Sequence, residues 1–224
     1  WEDSLRRAAA AQIIAEAIDY PDPFEAFALG LCQDLGTVLM ALRLPHLATS
    51  IQALRQKPGQ ARVDAERVLT GRSHAEEFGS STMADMLPPD LKEALSNHHD
   101  PLFSGDDRVG ILTGIATAAD LGADVVQAWP KDSCVAAAEQ ASKSLGIKSP
   151  LSHLLAKVTD RMYDLSHDLQ MEIGPQLSLE DVVAEAQNAV LQMASDHEEK
   201  AARLEKLLRR QEEATRKLEE HNKK

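Results

Sequence analysis

Apolar residues recur at helical spacing along almost the whole chain, and no stretch alternates apolar with polar residues between hairpin turns, so the pattern predicts an all-α fold. Ser4 to Ile18 carries Leu5, Ala8, Ala9, Gln12, Ile13 and Ala17 at that spacing. Tyr20-Pro21-Asp22-Pro23 then stops the helix, because a proline disfavours α geometry in the residue before it. Pro23 suits the first turn of a second helix, Phe24 to about Gln33, whose residues are apolar nearly all round and predict a central, buried element. Gly36 is expected to mark a bend near its end. Further helices are predicted over Pro45 to Gln56, Ala61 to Leu69 and Ser73 to Met86, the last opened by Ser73 and Glu76 at capping-box spacing. Pro88 and Pro89 open a short helix through Asn97 that Pro101 must stop. An interior helix over Asp106 to Asp120 and two more over Ser133 to Leu145 and Leu151 to Leu169 complete a globular part, punctuated by Gly146 and Gly174-Pro175.

The character changes at Ser178, which with Asp181 gives a cap-like start. Heptad positions then run without interruption, with Val183, Val190, His197, Leu204, Gln211 and Leu218 at a and Ala186, Met193, Lys200, Leu207, Ala214 and His221 at d. The expectation is a two-stranded coiled coil in which Gln211 trades stability for register. A single solvated helix and a frayed end are the alternatives. The predicted division is a helical domain over 1–177 and a signalling helix over 178–224.

With 224 residues and 43% hydrophobic content the chain has enough apolar surface for a core. A net charge of -12 argues against a nucleic-acid partner, since phosphates need clustered Lys and Arg. Val109 to Ala119, the longest uncharged run, falls short of the roughly 20 residues that span a bilayer, so no membrane partner and a cytoplasmic location are expected. Cys32 and Cys134 lack CxxC spacing and predict buried free thiols. The chain opens at Trp1 and closes at Lys224 inside amphipathic patterns, as expected of a fragment of something longer.

Asp34, His74, His98, His99 and Asp120 are the residues that could carry chemistry, because imidazole and carboxylate are ligands that first-row divalent metals accept. Each has a plainer explanation. Asp34, near the end of an apolar helix, needs a partner of some kind, which a backbone N–H of the next turn could supply. His74 follows the capping Ser73, where an exposed polar residue is common. His98 and His99 point about 100° apart on an ideal helix, yet can splay toward one site at a helix end. Asp120 could simply cap or pair. No GxSxG, GxxxxGK[ST], GxGxxG or HExxH occurs.

Taken in order, these residues resemble the HDOD family, relatives of the HD phosphohydrolases and HD-GYP phosphodiesterases. Trp1-Glu2-Asp3-Ser4 is similar to the family's Trp-x-His-Ser, and Phe27 to Gly36 to its Phe-x-x-Gly-Leu-Leu-His-Asp-Ile-Gly. Gly71 to Gly79, Leu87-Pro88 through His98-His99-Asp100-Pro101, and Ile115 to Asp120 extend the resemblance to about Ala123. It implies an HD-like helical bundle in which Asp3, Gln33, Asp34, His74, His98, His99 and Asp120 stand at metal-site positions. Two of these depart from the active pattern: Asp3 and Gln33 replace the ligand histidines, and neither offers a ring nitrogen. The resemblance therefore implies a catalytically silent regulatory module with no cofactor. Such domains often continue through a helix into a GGDEF diguanylate cyclase, so an output domain in cis and a homodimer through the C-terminal helix are the implied partners. A metal-dependent phosphohydrolase is the alternative.

Overall fold

The computed structural model describes residues 1–99, 107–128, 131–176, 180–182 and 184, and these are helical or irregular throughout. Ten α-helices occur among them: α1 (Glu2–Ala17), α2 (Pro23–Cys32), α3 (Leu35–Arg43), α4 (Ala48–Leu54), α5 (Gly59–Thr70), α6 (His74–Gly79), α7 (Pro89–Asn97), α8 (Arg108–Gln127), α9 (Lys131–Ser144) and α10 (Leu151–Asp168). The all-α expectation holds for the described residues.

Two helices organise the rest. α1 packs against α2, α8 and α10, while α8 also meets α2, α5, α7 and α9. Close approach is possible because the meeting faces are small: Ala8, Ala9, Ala11 and Ala15 of α1 and Ala116, Ala119 and Ala123 of α8 are fully buried. At Gly30 of α2 a Cβ would stand 2.4 Å from the Arg7 carbonyl oxygen, so only glycine permits this α1–α2 contact. Between the helices Leu29, Leu112 and Ile115 are excluded from water, each stabilising the fold by about 1.5–3 kcal/mol. A second cluster joins Val125 and Ala128 to Cys134, Ala138, Leu151 and Val182.

Most expected helices are present, with instructive differences. α8 runs on to Gln127 rather than stopping at Asp120, because Asp120 and Asp124 find partners inside the domain and need not end the helix. The stretch expected as one helix over Ser73 to Met86 ends at Gly79 and resumes only as a 3-10 turn at Ala84–Met86; the Ser73–Glu76 capping box at its start forms as predicted. Pro45–Leu47 is a 3-10 turn ahead of α4. α2 is less buried than its composition suggested, for Phe24 and Leu31 face outward. Gly36 lies inside α3, not at a bend: a Cβ there would come within 1.8 Å of the His74 carbonyl oxygen, so the glycine serves a backbone contact between α3 and α6. Both cysteines are free, Cys134 buried and Cys32 half-buried.

Compact packing divides the chain into Trp1–Val182 and Val183–Lys224. The proposed coiled-coil positions Val183, Ala186, Val190, Met193, His197, Leu204, Leu207, Gln211 and Leu218 lie outside the described residues. By length and composition two segments could cross a bilayer, Pro23–Arg43 and Arg108–Gln127; 67% of the second is buried within the domain, as in the core helix of a soluble fold.

Candidate functional site

Asp34 follows the last turn of α2 and is almost wholly buried. Among the described residues its carboxylate turns to side chains and not to a backbone N–H. Arg7 of α1 donates from Nη1 to Oδ2 at 2.8 Å, Arg55 after α4 donates from Nη2 to the same oxygen at 2.6 Å, and Arg62 of α5 donates from Nη2 to Oδ1 at 2.9 Å. Burial alone would raise the Asp34 pKa, but the charges of Arg7, Arg62 and Arg55 outweigh it and hold the carboxyl well below its usual range.

The same arginines reach further. Arg7 donates from Nε to Asp120 Oδ1 of α8 at 2.6 Å, and Arg62 from Nε to Glu66 at 2.9 Å and from Nη2 to Thr37 at 2.7 Å. Asp120 is likewise held ionised, burial being overcome first by Arg7 and then by His99. One turn on, Asp124 accepts the Gly59 amide at 2.9 Å but has the buried Asp120 as neighbour; burial, then that like charge, pushes its pKa up to about 7. Arg7 Nη2, Arg55 Nε, Arg62 Nη1 and Gln33 Oε1 are buried without a hydrogen-bond partner among the described residues, groups that ordered water commonly satisfies.

A histidine cluster adjoins this ionic core. The capping box presents His74 at the first position of α6, buried rather than exposed, and both its backbone N–H and its Nδ1 meet Glu66 Oε2, at 2.9 and 2.7 Å. His98 caps the C-terminus of α7, its Nδ1 2.7 Å from the Leu95 carbonyl and its own carbonyl accepting Thr117 Oγ1 of α8 at 2.7 Å. The helix end lets the neighbouring rings converge: His74 Nε2 is 3.4 Å from His98 Nε2 and 3.0 Å from His99 Nε2. One nitrogen from each ring falls within 4.8 Å of the others. His99 Nε2 also lies 3.7 Å from Asp120. Burial, then the charge of His74, pulls the His98 pKa down to about 4; burial and then His98 lower that of His99.

Six of the seven expected residues therefore meet: Asp34 and Asp120 through Arg7, Asp3 and Asp34 through Arg55, and the three histidines with each other, His99 also nearing Asp120. The seventh stands apart. Gln33 is buried but turns its amide to the Ala116 carbonyl at 2.7 Å. Asp3 is partly exposed, paired with Arg6, Arg55 and Gln127, beside an open depression that Thr49, Gln52 and Gln56 also line. Sequence reasoning missed Arg7, Arg55, Arg62, Glu66 and Asp124. A signal existed for Arg7, a cation amid the apolar spacing of α1.

The comparisons bear on this arrangement. Residues 1–101 match the HDOD domain family. The HDOD match takes in α1 to α7 and with them every site residue except Asp120 and Asp124. No curated protein matches the chain. Among solved structures it is similar to a protein of Shewanella amazonensis SB2B that carries a provisional phosphohydrolase name, with 22% identity and a TM-score of 0.53. The likeness covers 75% of this chain and 62% of that one, and supports the HD-like helical fold.

A metal centre built on Asp34, as the HD enzymes imply, does not fit these residues. Three guanidinium groups face the carboxylate, and a dication placed there would meet their combined charge in a medium that screens poorly.

Proposed function

We propose that this chain is a non-catalytic regulatory module of bacterial signal transduction, acting in the cytoplasm. In this role the helical domain, 1–177, senses a ligand or partner, and the C-terminal segment, 178–224, pairs as a dimeric coiled coil that passes the change to an output domain in cis, a GGDEF diguanylate cyclase. The observation that supports it is the engagement of both Asp34 oxygens by Arg7, Arg55 and Arg62, side chains that supply the positive charge an ion would bring. The HDOD match points to the same class.

Metal analysis of the purified chain, with turnover of bis(4-nitrophenyl) phosphate in Mn²⁺, tests the silence of the site. The expected result is no turnover; roughly stoichiometric metal together with hydrolysis abolished by Asp34→Ala would overturn it. For the coiled coil, Leu204→Cys in a Cys32→Ser/Cys134→Ser background is expected to link two chains on oxidation through the paired a position, and unlinked chains alone would remove that part of the reading.

A second reading, a metal-dependent phosphohydrolase, draws support from the histidines. The Nδ1 atoms of His74 and His98 are held by Glu66 and the Leu95 carbonyl, which leaves Nε2 of each turned inward, as outer-shell partners do for ligating imidazoles. His74, His98 and His99 would hold the ion, and an ion so held lowers the pKa of bound water. Titration with Co²⁺ separates the readings: a visible absorption band lost in His74→Ala, together with hydrolysis, favours this one.

A further inference from the structure

The outward face of α2 and α3 has no occupant among the described residues. Phe24, Ala28, Leu31, Leu35, Val38 and Leu42 follow one another at intervals of four, three, four, three and four, the spacing of a helix-pairing seam. Gln33 keeps α-helical backbone angles but Asp34, with φ -92° and ψ 0°, does not, so the seam crosses a break between the two helices. Four of the six residues are wet where a domain core would be dry, with Phe24 72% exposed, Leu42 73%, Val38 54% and Leu31 43%; Ala28 is half-buried and Leu35 packs partly against the core. Single exposed apolar residues are ordinary, but a stripe on one seam marks an interaction surface. Between Glu25 and Arg43 the only charge is Asp34, which is buried in the arginine cluster.

We infer that the α2–α3 face is a self-association surface on which a second copy of this chain lies antiparallel. The seam is palindromic about Gln33: an antiparallel copy sets Phe24 opposite Leu42, Ala28 opposite Val38, and Leu31 opposite Leu35, each contact occurring twice, as a two-fold interface requires. Charge selects the same direction. Exposed Asp19 and Asp22 flank the Phe24 end, whereas at the Leu42 end Arg43 is already held by Glu77 through two hydrogen bonds, so parallel copies would set acid against acid and antiparallel copies would not. The opposed helix dipoles add to this preference.

This surface is independent of the proposed coiled coil, and the test separates them by using the full chain with Leu204→Pro/Leu207→Pro. Sedimentation of that variant is expected to give twice the 24.4 kDa chain mass, falling to the single-chain mass when Val38→Asp and Leu42→Asp are added with the helical circular dichroism unchanged. A single-chain mass before the aspartates are added, or a dimer that survives them, overturns the inference; so does a shift to co-sedimentation with phosphatidylcholine vesicles, which would make the occupant a bilayer. For direction, a Cys32→Ser background carrying Phe24→Cys/Leu42→Cys is expected to form covalent dimers on oxidation, whereas Phe24→Cys alone does not. Efficient linking by the single cysteine overturns the antiparallel arrangement.

Discussion

Replacing Arg7 by Met removes the guanidinium that joins Asp34 to Asp120 while keeping an unbranched side chain of similar reach. Arg7 is fully buried, so water cannot take its place freely. The loss divides unevenly between its two partners. Asp34 retains Arg55 and Arg62, but among the described residues Asp120 is left with His99 at 3.7 Å. Breaking a buried ion pair from one side costs about 3–5 kcal/mol, because the surviving charge remains desolvated. With a urea dependence of about 2 kcal/mol per molar, the unfolding midpoint should fall by roughly 2 M. Adding Asp120→Asn relieves the uncompensated charge, so the double variant should recover part of the loss. Urea titrations of the four chains, followed by circular dichroism, provide the cycle. A loss below about 1 kcal/mol in Arg7→Met, or a double variant no more stable than the single one, would refute the view that this ionic core holds the domain together.

Gly36→Ala should destabilise by about 1–3 kcal/mol, since its methyl group collides with the His74 carbonyl; a neutral effect in thermal melts would contradict the contact. Ser73→Ala should cost about 1 kcal/mol through loss of the cap, while Ser73→Asp should largely preserve stability, with urea midpoints as the readout. pH separates two buried groups of opposite sign. His98, neutral in the fold down to about pH 4, contributes stability present above about pH 6.5 and lost as pH falls toward 4. Asp124 contributes stability present below about pH 4 and lost as pH rises through about 7. Asp124→Asn should therefore steepen the rise of stability with pH across this window and His98→Asn flatten it, by on the order of 3 kcal/mol each; identical slopes in all three chains would refute the assignments.

What could be read in the sequence was local. The cap at Ser73, the proline stops and the helical spacing act within a few residues, and most helices formed where these signals put them. The convergence of His98 and His99 could be foreseen as a possibility because it depends on one helix end. The arginines could not be placed that way. Arg7, Arg55 and Arg62 come from three separate helical regions; Arg55 and Arg62 alone look like solvated cations, and the apolar setting of Arg7 does not name its partner, for only packing α1 and α5 around the end of α2 aims them at one carboxylate. The Arg62–Glu66 pair illustrates the difficulty, since spacing of four suggests a surface salt bridge, yet both side chains are buried. The extension of α8 was missed for a related reason: Asp120 read as a stop until Arg7 explained how a carboxylate can remain in a core helix.

The contact at Gly36 joins a scaffold element to an imidazole through backbone alone. With no side chain between them to act as a cushion, any slide or roll of α3 is delivered directly to the first turn of α6. A force that reaches the outer face of the domain can thus disturb the histidines without a relay of rotamer changes.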